Sequence, residues 1–301
     1  MKIGFKLSLI MAALGLFAIA SVSITLLARA RSSILNISKK YSVSMANDSA
    51  ADITNFLNTY LYKVETGAHV MEQYRYIVMA NRRNVLNAVL EGLARSNPEI
   101  IAAWCVWEPD VLEGGDLEYL GTKGAGPGGR FSPYYYWENG KVELAVMDDF
   151  EDPAYILPKK TGSHTVLDPY EFPVGRKTVL MTTVAVPITT DGKVVGVIGF
   201  DLPLDTIQRI SQTQKPYPDA IAAVFSSNGT ITGHPDERRI GKDMMKTEAD
   251  MAGEYLPDFA NAVKAGRPYT FTRYMDEADS NMIIFSVPIT AGKVKTPWSY
   301  A

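Results

Sequence analysis

A single aspartate, Asp201, closes the apolar run Gly196-Val-Ile-Gly-Phe200. A carboxylate ending such a strand is costly unless a donor or a cation meets it, which makes Asp201 the leading candidate for binding chemistry. A second set of acids, Glu108, Asp110, Glu113 and Asp116, lies close together in sequence. Paired carboxylates can serve hydrolysis or hold Ca²⁺, but these depart from the calcium-loop spacing, and a solvated loop is the commoner explanation. His69, His164 and His234 are far apart and lack the i, i+4 spacing of a metal-binding helix. Cys105 is the only cysteine, so neither an intramolecular disulfide nor a cysteine zinc site is available. The glycine-rich stretch 124–129 is not followed by the Lys-Ser/Thr of a phosphate loop, and no G-x-S-x-G elbow occurs. Neither a cofactor nor enzymatic turnover is expected.

These residues need a scaffold, and the composition describes one. The chain has 301 residues, 47% hydrophobic and 21% charged, which suits packed globular structure and, by length, two folded units. Its formal net charge of −3 and the absence of any Lys/Arg block argue against a nucleic-acid partner.

Residues 7–28 form an uncharged run of 22 residues, about the ~20 a helix needs to span the hydrocarbon core of a bilayer. Lys2 and Lys6 precede it, and Arg29 and Arg31 follow. Ala28-Arg-Ala30 resembles a signal-cleavage site, yet signal h-regions run only about 7 to 15 residues, so the run reads as an uncleaved anchor. Flanking charge does not orient it, because Arg29, Arg31, Lys39 and Lys40 outnumber Lys2 and Lys6. Apolar residues then recur in steps of three and four at Ile34, Ile37, Tyr41 and Met45 and from Ile53 to Val64, predicting one long helix to about Tyr74. That helix is either a packing helix or a strut and dimer seam. A second helix is expected over 84–94, ending before Asn97-Pro98.

From residue 100 the periodicity turns to β. Strands are expected over 100–107, 178–187 and 193–201, the last two joined by Thr190-Asp191-Gly192, with an irregular glycine-rich excursion over 108–130. A connecting helix and linker (205–217) lead to a second hairpin around Ser227-Asn228-Gly229. Val186-Pro-Ile-Thr189 with Gly192-Lys-Val194 is echoed by Val287-Pro-Ile-Thr290 with Gly292-Lys-Val294, which predicts two related modules in tandem. On this alignment Tyr300 falls at Phe200 and Ala301 at Asp201, inside a core strand, so the natural protein is expected to continue.

In this order the local features resemble the double Cache (dCache) sensor region of bacterial methyl-accepting chemotaxis receptors. They are Trp107-Glu-Pro-Asp110 with Gly115-Asp116, Gly129-Arg-Phe131 with Pro133-Tyr134, Asp168-Pro-Tyr170, Val186-Pro-Ile188, Gly196-Val-Ile-Gly-Phe-Asp201, and Gly233-His-Pro-Asp236 with Ile240-Gly241. The resemblance implies an α+β chain with an anchor (1–31), a long juxtamembrane helix (32–75), a membrane-distal ligand-binding module (76–215) and a membrane-proximal module (216–301). It also implies a homodimer through the long helix in the cytoplasmic membrane, with the sensor periplasmic or extracellular. A second membrane span, a HAMP linker and a coiled-coil output would follow; some relatives carry histidine kinase or diguanylate cyclase outputs instead.

Amino-acid sensors of that family hold the ligand carboxylate with an R-x-W-Y run and its ammonium with a Y-x-D and a strand-end Asp. Here these positions are Asp152, Ala154 and Tyr155, then Tyr170 and Phe172, then Asp201. The missing Arg removes the bidentate donor a desolvated carboxylate needs, unless Arg130, Lys159 or Lys160 replaces it. What remains is acidic and aromatic: Asp201, Asp149 and Asp152 with Trp104, Trp107, Tyr134, Tyr136, Tyr155, Tyr170 and Phe172. Such a set suits a cation, at roughly 0.5 to 2 kcal/mol per aromatic contact, and points to an amine or quaternary ammonium ligand. Ordinary core packing is the competing reading for the aromatics. An amino-acid or carboxylate sensor, an extracytoplasmic hydrolase and an adhesion module without a pocket are the alternative functions.

Overall fold

The computed structural model describes residues 3–213, 215–276 and 279–301; Lys2, one of the flanking cations, lies outside the described residues. Two compact units are present, Met1–Met45 and Ala46–Ala301. Helix α1 (Ile3–Met71) supplies the described residues of the first unit and the start of the second. In the first unit Leu9, Leu14, Phe17, Ile24 and Leu27 are all exposed, as lipid-facing side chains are. Among the described residues this is the one helix apolar and long enough to cross a membrane.

In the second unit, α1 buries Ala46, Ala50, Ile53, Leu57, Leu61, Val64, Ala68 and Met71, one stripe at steps of three and four. Helix α2 (Arg82–Arg95) follows and buries Leu86, Leu90 and Ala94, stopping where Asn97-Pro98 disfavours helical backbone. Then come β1 (Ala102–Trp107), β2 (Pro133–Glu138), β3 (Lys141–Val146), α3 (Pro153–Thr161), β4 (Thr165–Val166), β5 (Tyr170–Val174), β6 (Lys177–Thr190) and β7 (Lys193–Pro203). These strands form one antiparallel sheet in the order β3-β2-β1-β7-β6-β4, with β5 also on β6. The β6–β7 turn takes Asp191 and Gly192 at φ 52° and 73°, the two positive values a tight hairpin needs.

Helix α4 (Asp205–Thr213) leads to β8 (Val224–Phe225), β9 (Ile231–Gly233), the short α5 (Met244–Thr247) and α6 (Ala249–Ala252), α7 (Leu256–Lys264), β10 (Tyr269–Met275), β11 (Ser280–Ile289) and β12 (Trp298–Tyr300). The second sheet runs β10-β11-β12-β8-β9. Its β9-β8-β12-β11 core repeats the β2-β1-β7-β6 arrangement of the first sheet, so the two halves share a topology as well as the repeated tetrapeptide. The register differs from the sequence alignment. Val186 pairs with Ile198 and Val287 with Tyr300, so Tyr300 takes the place of Ile198, two residues before Phe200. The cause is the connection: residues 290–297, with Pro297, form an irregular loop where the first sheet has a tight turn, and Gly292-Lys-Val294 lies in that loop instead of a strand.

Side-chain alternation gives the first sheet two different faces. Ala103, Cys105, Trp107, Tyr135, Val184, Val186, Ile198 and Phe200 join the core built on α1 and α2. Ala102, Trp104, Val106, Tyr134, Ala185 and Val197 face the other way, under α3, with Tyr155, Tyr170 and Phe172.

Candidate functional site

Asp201 sits in the middle strand of this second face, opposite Ala102 of β1 and Thr183 of β6, and is 1% exposed. Its Oδ1 accepts from Trp104 Nε1 (3.0 Å) and Thr183 Oγ1 (2.7 Å), and its Oδ2 accepts from the Tyr134 hydroxyl (2.7 Å). The Tyr170 hydroxyl lies 2.7 Å from Thr183 Oγ1. Because Thr183 spends its single proton on Asp201, Tyr170 is the donor to Thr183. Burial pushes the Asp201 carboxyl up to about 6, against the three hydrogen bonds that favour the anion; Asp152 pushes in the same direction as burial, and no cation acts on it. Burial also raises the Tyr134 and Tyr170 phenols, so both stay protonated donors.

Trp104 reaches Asp201 because its strand partner is Gly199, whose absent side chain leaves the floor for the indole. A Cβ at Gly199 would lie 2.4 Å from Trp104 Cζ2. Gly199→Ala is therefore expected to lift the indole off Asp201, weakening any ligand contact that depends on that carboxylate roughly tenfold through the lost charged hydrogen bond and lowering stability by about 1–3 kcal/mol through overpacking. Calorimetry and urea unfolding of the same variant read the two effects separately.

Tyr136, Tyr134, Phe172 and Tyr170 form a chain of rings, with successive centroids at 6.1, 6.0 and 6.1 Å. Beside it opens a cleft of about 140 Å³ whose lining includes Tyr134, Tyr136, Phe172, Asp148, Asp149 and Asp152, with no lysine or arginine among its lining residues. The Asp152 carboxyl is raised, first by burial and then by Asp149. Asp152 also has a structural duty: its Oδ1 accepts from Ala154 N at 2.7 Å as the N-cap of α3, ahead of Pro153 at the first helical position.

Tyr155 is fully buried on α3, but its hydroxyl points to a different group, donating to Glu108 and accepting from Arg130 and from Lys159 (3.2 Å). Arg130 also donates to the Trp107 carbonyl and stacks 4.1 Å from the Phe150 ring centroid, while Lys159 pairs with Glu108 at 2.9 Å. The basic residues weighed as carboxylate donors are thus bound up behind Tyr155, and neither lines the cleft. Lys160 is exposed. Trp107 lies on the opposite face of the sheet, ring to ring with Tyr74 at 5.0 Å, away from Asp201. The structure therefore gathers Asp201, Tyr134, Tyr170, Phe172 and Trp104, places Tyr136, Asp149 and Asp152 at the cleft, and keeps Trp107 apart. Thr183, not singled out in the sequence, is the added member.

The acidic quartet is divided. Asp110 and Asp116 each accept the other's backbone N–H (2.9 and 2.8 Å), and Arg83 of α2 bonds Glu113 (3.0 Å), Asp116 (2.6 Å) and the Gly129 carbonyl (2.7 Å). Glu113, Asp116 and Arg83 fasten the 108–130 loop onto α2, and Glu108 belongs to Tyr155.

The first sheet thus presents a buried carboxylate and an aromatic wall beneath α3 and its flanking loops, and a second antiparallel sheet of related topology follows. Residues 86–209 match the first PDC sensor domain of methyl-accepting chemotaxis protein-like receptors, a sensor family and not an enzyme family. The matched residues contain every strand of the first sheet. Over 247 residues the chain is 30% identical to the methyl-accepting chemotaxis protein TlpQ of Pseudomonas aeruginosa, covering 75% of this chain and 33% of TlpQ, so it spans a third of that relative's length. The extracellular domain of the candidate histidine kinase mmHK1S-Z3 superposes with a TM-score of 0.74 at 25% identity, covering 88% of this chain and 93% of that one. The ligand-binding domain of the Pseudomonas aeruginosa amino acid chemoreceptor PctB, solved with L-Arg, shares the fold with a TM-score of 0.58 at 19% identity, covering 87% and 92%.

Proposed function

We propose that this chain is the ligand-sensing part of a membrane-anchored chemoreceptor and that its first sheet binds a small cationic amine or quaternary ammonium ion. The carrying observation is Asp201: a buried carboxylate met by three neutral donors and no cation. An ammonium group would complete its charge pairing, and the adjoining rings would stabilise the cation further. Asp148, Asp149 and Asp152 at the cleft would attract a cation and repel a carboxylate. PctB was solved in complex with L-Arg, an amino acid with a cationic side chain; the acidic Asp152 favours an amine lacking the carboxylate.

Residues 7–28 of α1 would cross the cytoplasmic membrane with the amino terminus inside and the sheets outside. Residues 76–215 would then be the distal module and 216–301 the proximal one. Ile34, Leu35 and Ile37, exposed on α1, would form a seam with a second copy of the chain.

Calorimetry on the chain in nanodiscs, with butylamine, tetramethylammonium, a betaine, L-amino acids and succinate, tests the reading. The amines are expected to bind saturably without chemical change, and succinate is not. Binding should also track Asp201 ionisation. With the carboxyl at about 6, cation affinity is retained at pH 7 and falls toward tenfold per pH unit below about 6, as each bound cation must displace a proton. Stability of the unliganded chain moves the other way. The native state holds the Asp201 proton more tightly than the unfolded chain, whose value is near 3.8, so this group's contribution rises as pH falls from about 6 toward 4. Binding of succinate with no amine response would sink the cation reading.

A further inference from the structure

We propose that residues 163–170 act as a strap that couples the Asp201 site to both helix α1 and the second sheet; this rests on Asp201 being the ligand carboxylate. The strap touches all three parts within eight residues. At its start, His164 Nε2 lies 3.2 Å from Glu65 Oε1 of α1, and the same oxygen is 3.3 Å from Lys293 Nζ in the β11–β12 connection. Gly292 N in that connection donates to Asn58 Oδ1 of α1 at 2.7 Å, so one short length of α1 holds the strap and the second sheet together.

In its middle the strap lies against the strand that carries Thr183. Leu167 N donates to the Thr183 carbonyl (2.9 Å), and Thr182 Oγ1 donates to the Leu167 carbonyl (2.7 Å). Asp168 then crosses to the second sheet, its Oδ1 accepting from the Ser227 hydroxyl (2.9 Å) and Asn228 N (3.2 Å) in the β8–β9 turn. Two residues on, Tyr170 bonds the Thr183 hydroxyl that serves Asp201. Pro169 separates them, and its fixed φ removes one torsion by which Tyr170 could move independently of Asp168.

The sequence of events follows from proton counts. A cation arriving at Asp201 Oδ1 competes with the Thr183 hydroxyl for that oxygen. Once displaced, the Thr183 proton must turn to another acceptor, and the Tyr170 hydroxyl loses its orientation on Thr183. Tyr170 carries Pro169 and Asp168 with it, which loads the Ser227 and Asn228 contacts. Space for this shift exists: all eight strap residues line a cavity of about 550 Å³, whose far wall includes Ser227, Asn228 and residues 294–296. A close-packed core resists such displacement. The cavity is on the strap's side of the molecule, where movement can be absorbed.

Amide hydrogen exchange on the full chain in nanodiscs tests the strap without any ligand. Thr183→Val removes the hydroxyl that joins Asp201 to Tyr170, and is expected to change exchange at residues 227–230 and 58–65 at least threefold. In an Asp168→Ala background that change at 227–230 is expected to vanish. Asp168→Asn, which keeps the acceptor oxygen, is expected to restore it and guards against misfolding of the alanine variant. An identical response with and without Asp168, or no response outside the first sheet, overturns the proposal. Failure of every amine in calorimetry would sink the cation reading alone, because this exchange experiment does not use a ligand.

Discussion

Asp201→Asn is expected to lower amine affinity by about 30-fold to 4,000-fold while leaving the unliganded chain at least as stable as before. Truncating one partner of a buried charge pair costs about 2–5 kcal/mol of binding, and every 1.4 kcal/mol is tenfold. The folding side has the opposite sign. Asp201 is ionised at pH 7 with its carboxyl pushed up to about 6, so burial of its charge opposes folding. Asparagine keeps an acceptor for Trp104 and Thr183, and Tyr134, now facing an amide, can accept where it previously donated. Calorimetry and thermal unfolding of the one variant separate a binding residue from a core residue. A structural Asp201 would lose stability and binding together; a ligand residue loses binding alone.

The same group shows how far sequence reading reaches. Asp201 was legible because an acid ending an apolar strand breaks a pattern, whereas Thr183 breaks none: a threonine in a β-branched run is an ordinary strand former. Only the register that sets Thr183 opposite Asp201 reveals its role. Trp104 and Trp107 are equivalent by type, but three residues apart in a strand they face opposite sides. The long helix and the β6–β7 hairpin were legible because their signals are local, a three-and-four stripe and an Asp-Gly turn. Glu108, Arg130, Tyr155 and Lys159 meet only after the chain has folded from positions up to 51 apart, as the numbering gives (159 − 108), and no local pattern records that. Asp152 carries both kinds of information: its cap on α3 follows from the Asp-Pro start of a helix, while its place at the cleft follows from the tertiary fold. The repeat around Val287 misled by two residues because sequence identity is blind to the longer connection after Ile289.

Arg83→Met is expected to destabilise the second unit by about 3–5 kcal/mol, the range for breaking a buried ion pair by removing one partner. Arg83 is 5% exposed, and it alone meets both Glu113 and Asp116 while also donating to the Gly129 carbonyl. Methionine fills the volume but leaves two buried acids without their cation. Glu113 is the weaker member, because burial already raises its carboxyl and its Oε1 has no hydrogen-bond partner. Removing the arginine should raise it further, so the variant is expected to recover part of its stability as pH is lowered and Glu113 takes up a proton. Adding Glu113→Gln and Asp116→Asn to Arg83→Met should restore part of the loss at pH 7, which urea unfolding measures directly. Binding should suffer too. The loop that Arg83 fastens begins at Glu108 and ends at Arg130, the two groups that hold the Tyr155 hydroxyl beneath α3. Loosening it frees the helix whose N-cap, Asp152, stands at the cleft, so amine affinity is expected to fall although Arg83 itself lies on the other side of the sheet from Asp201.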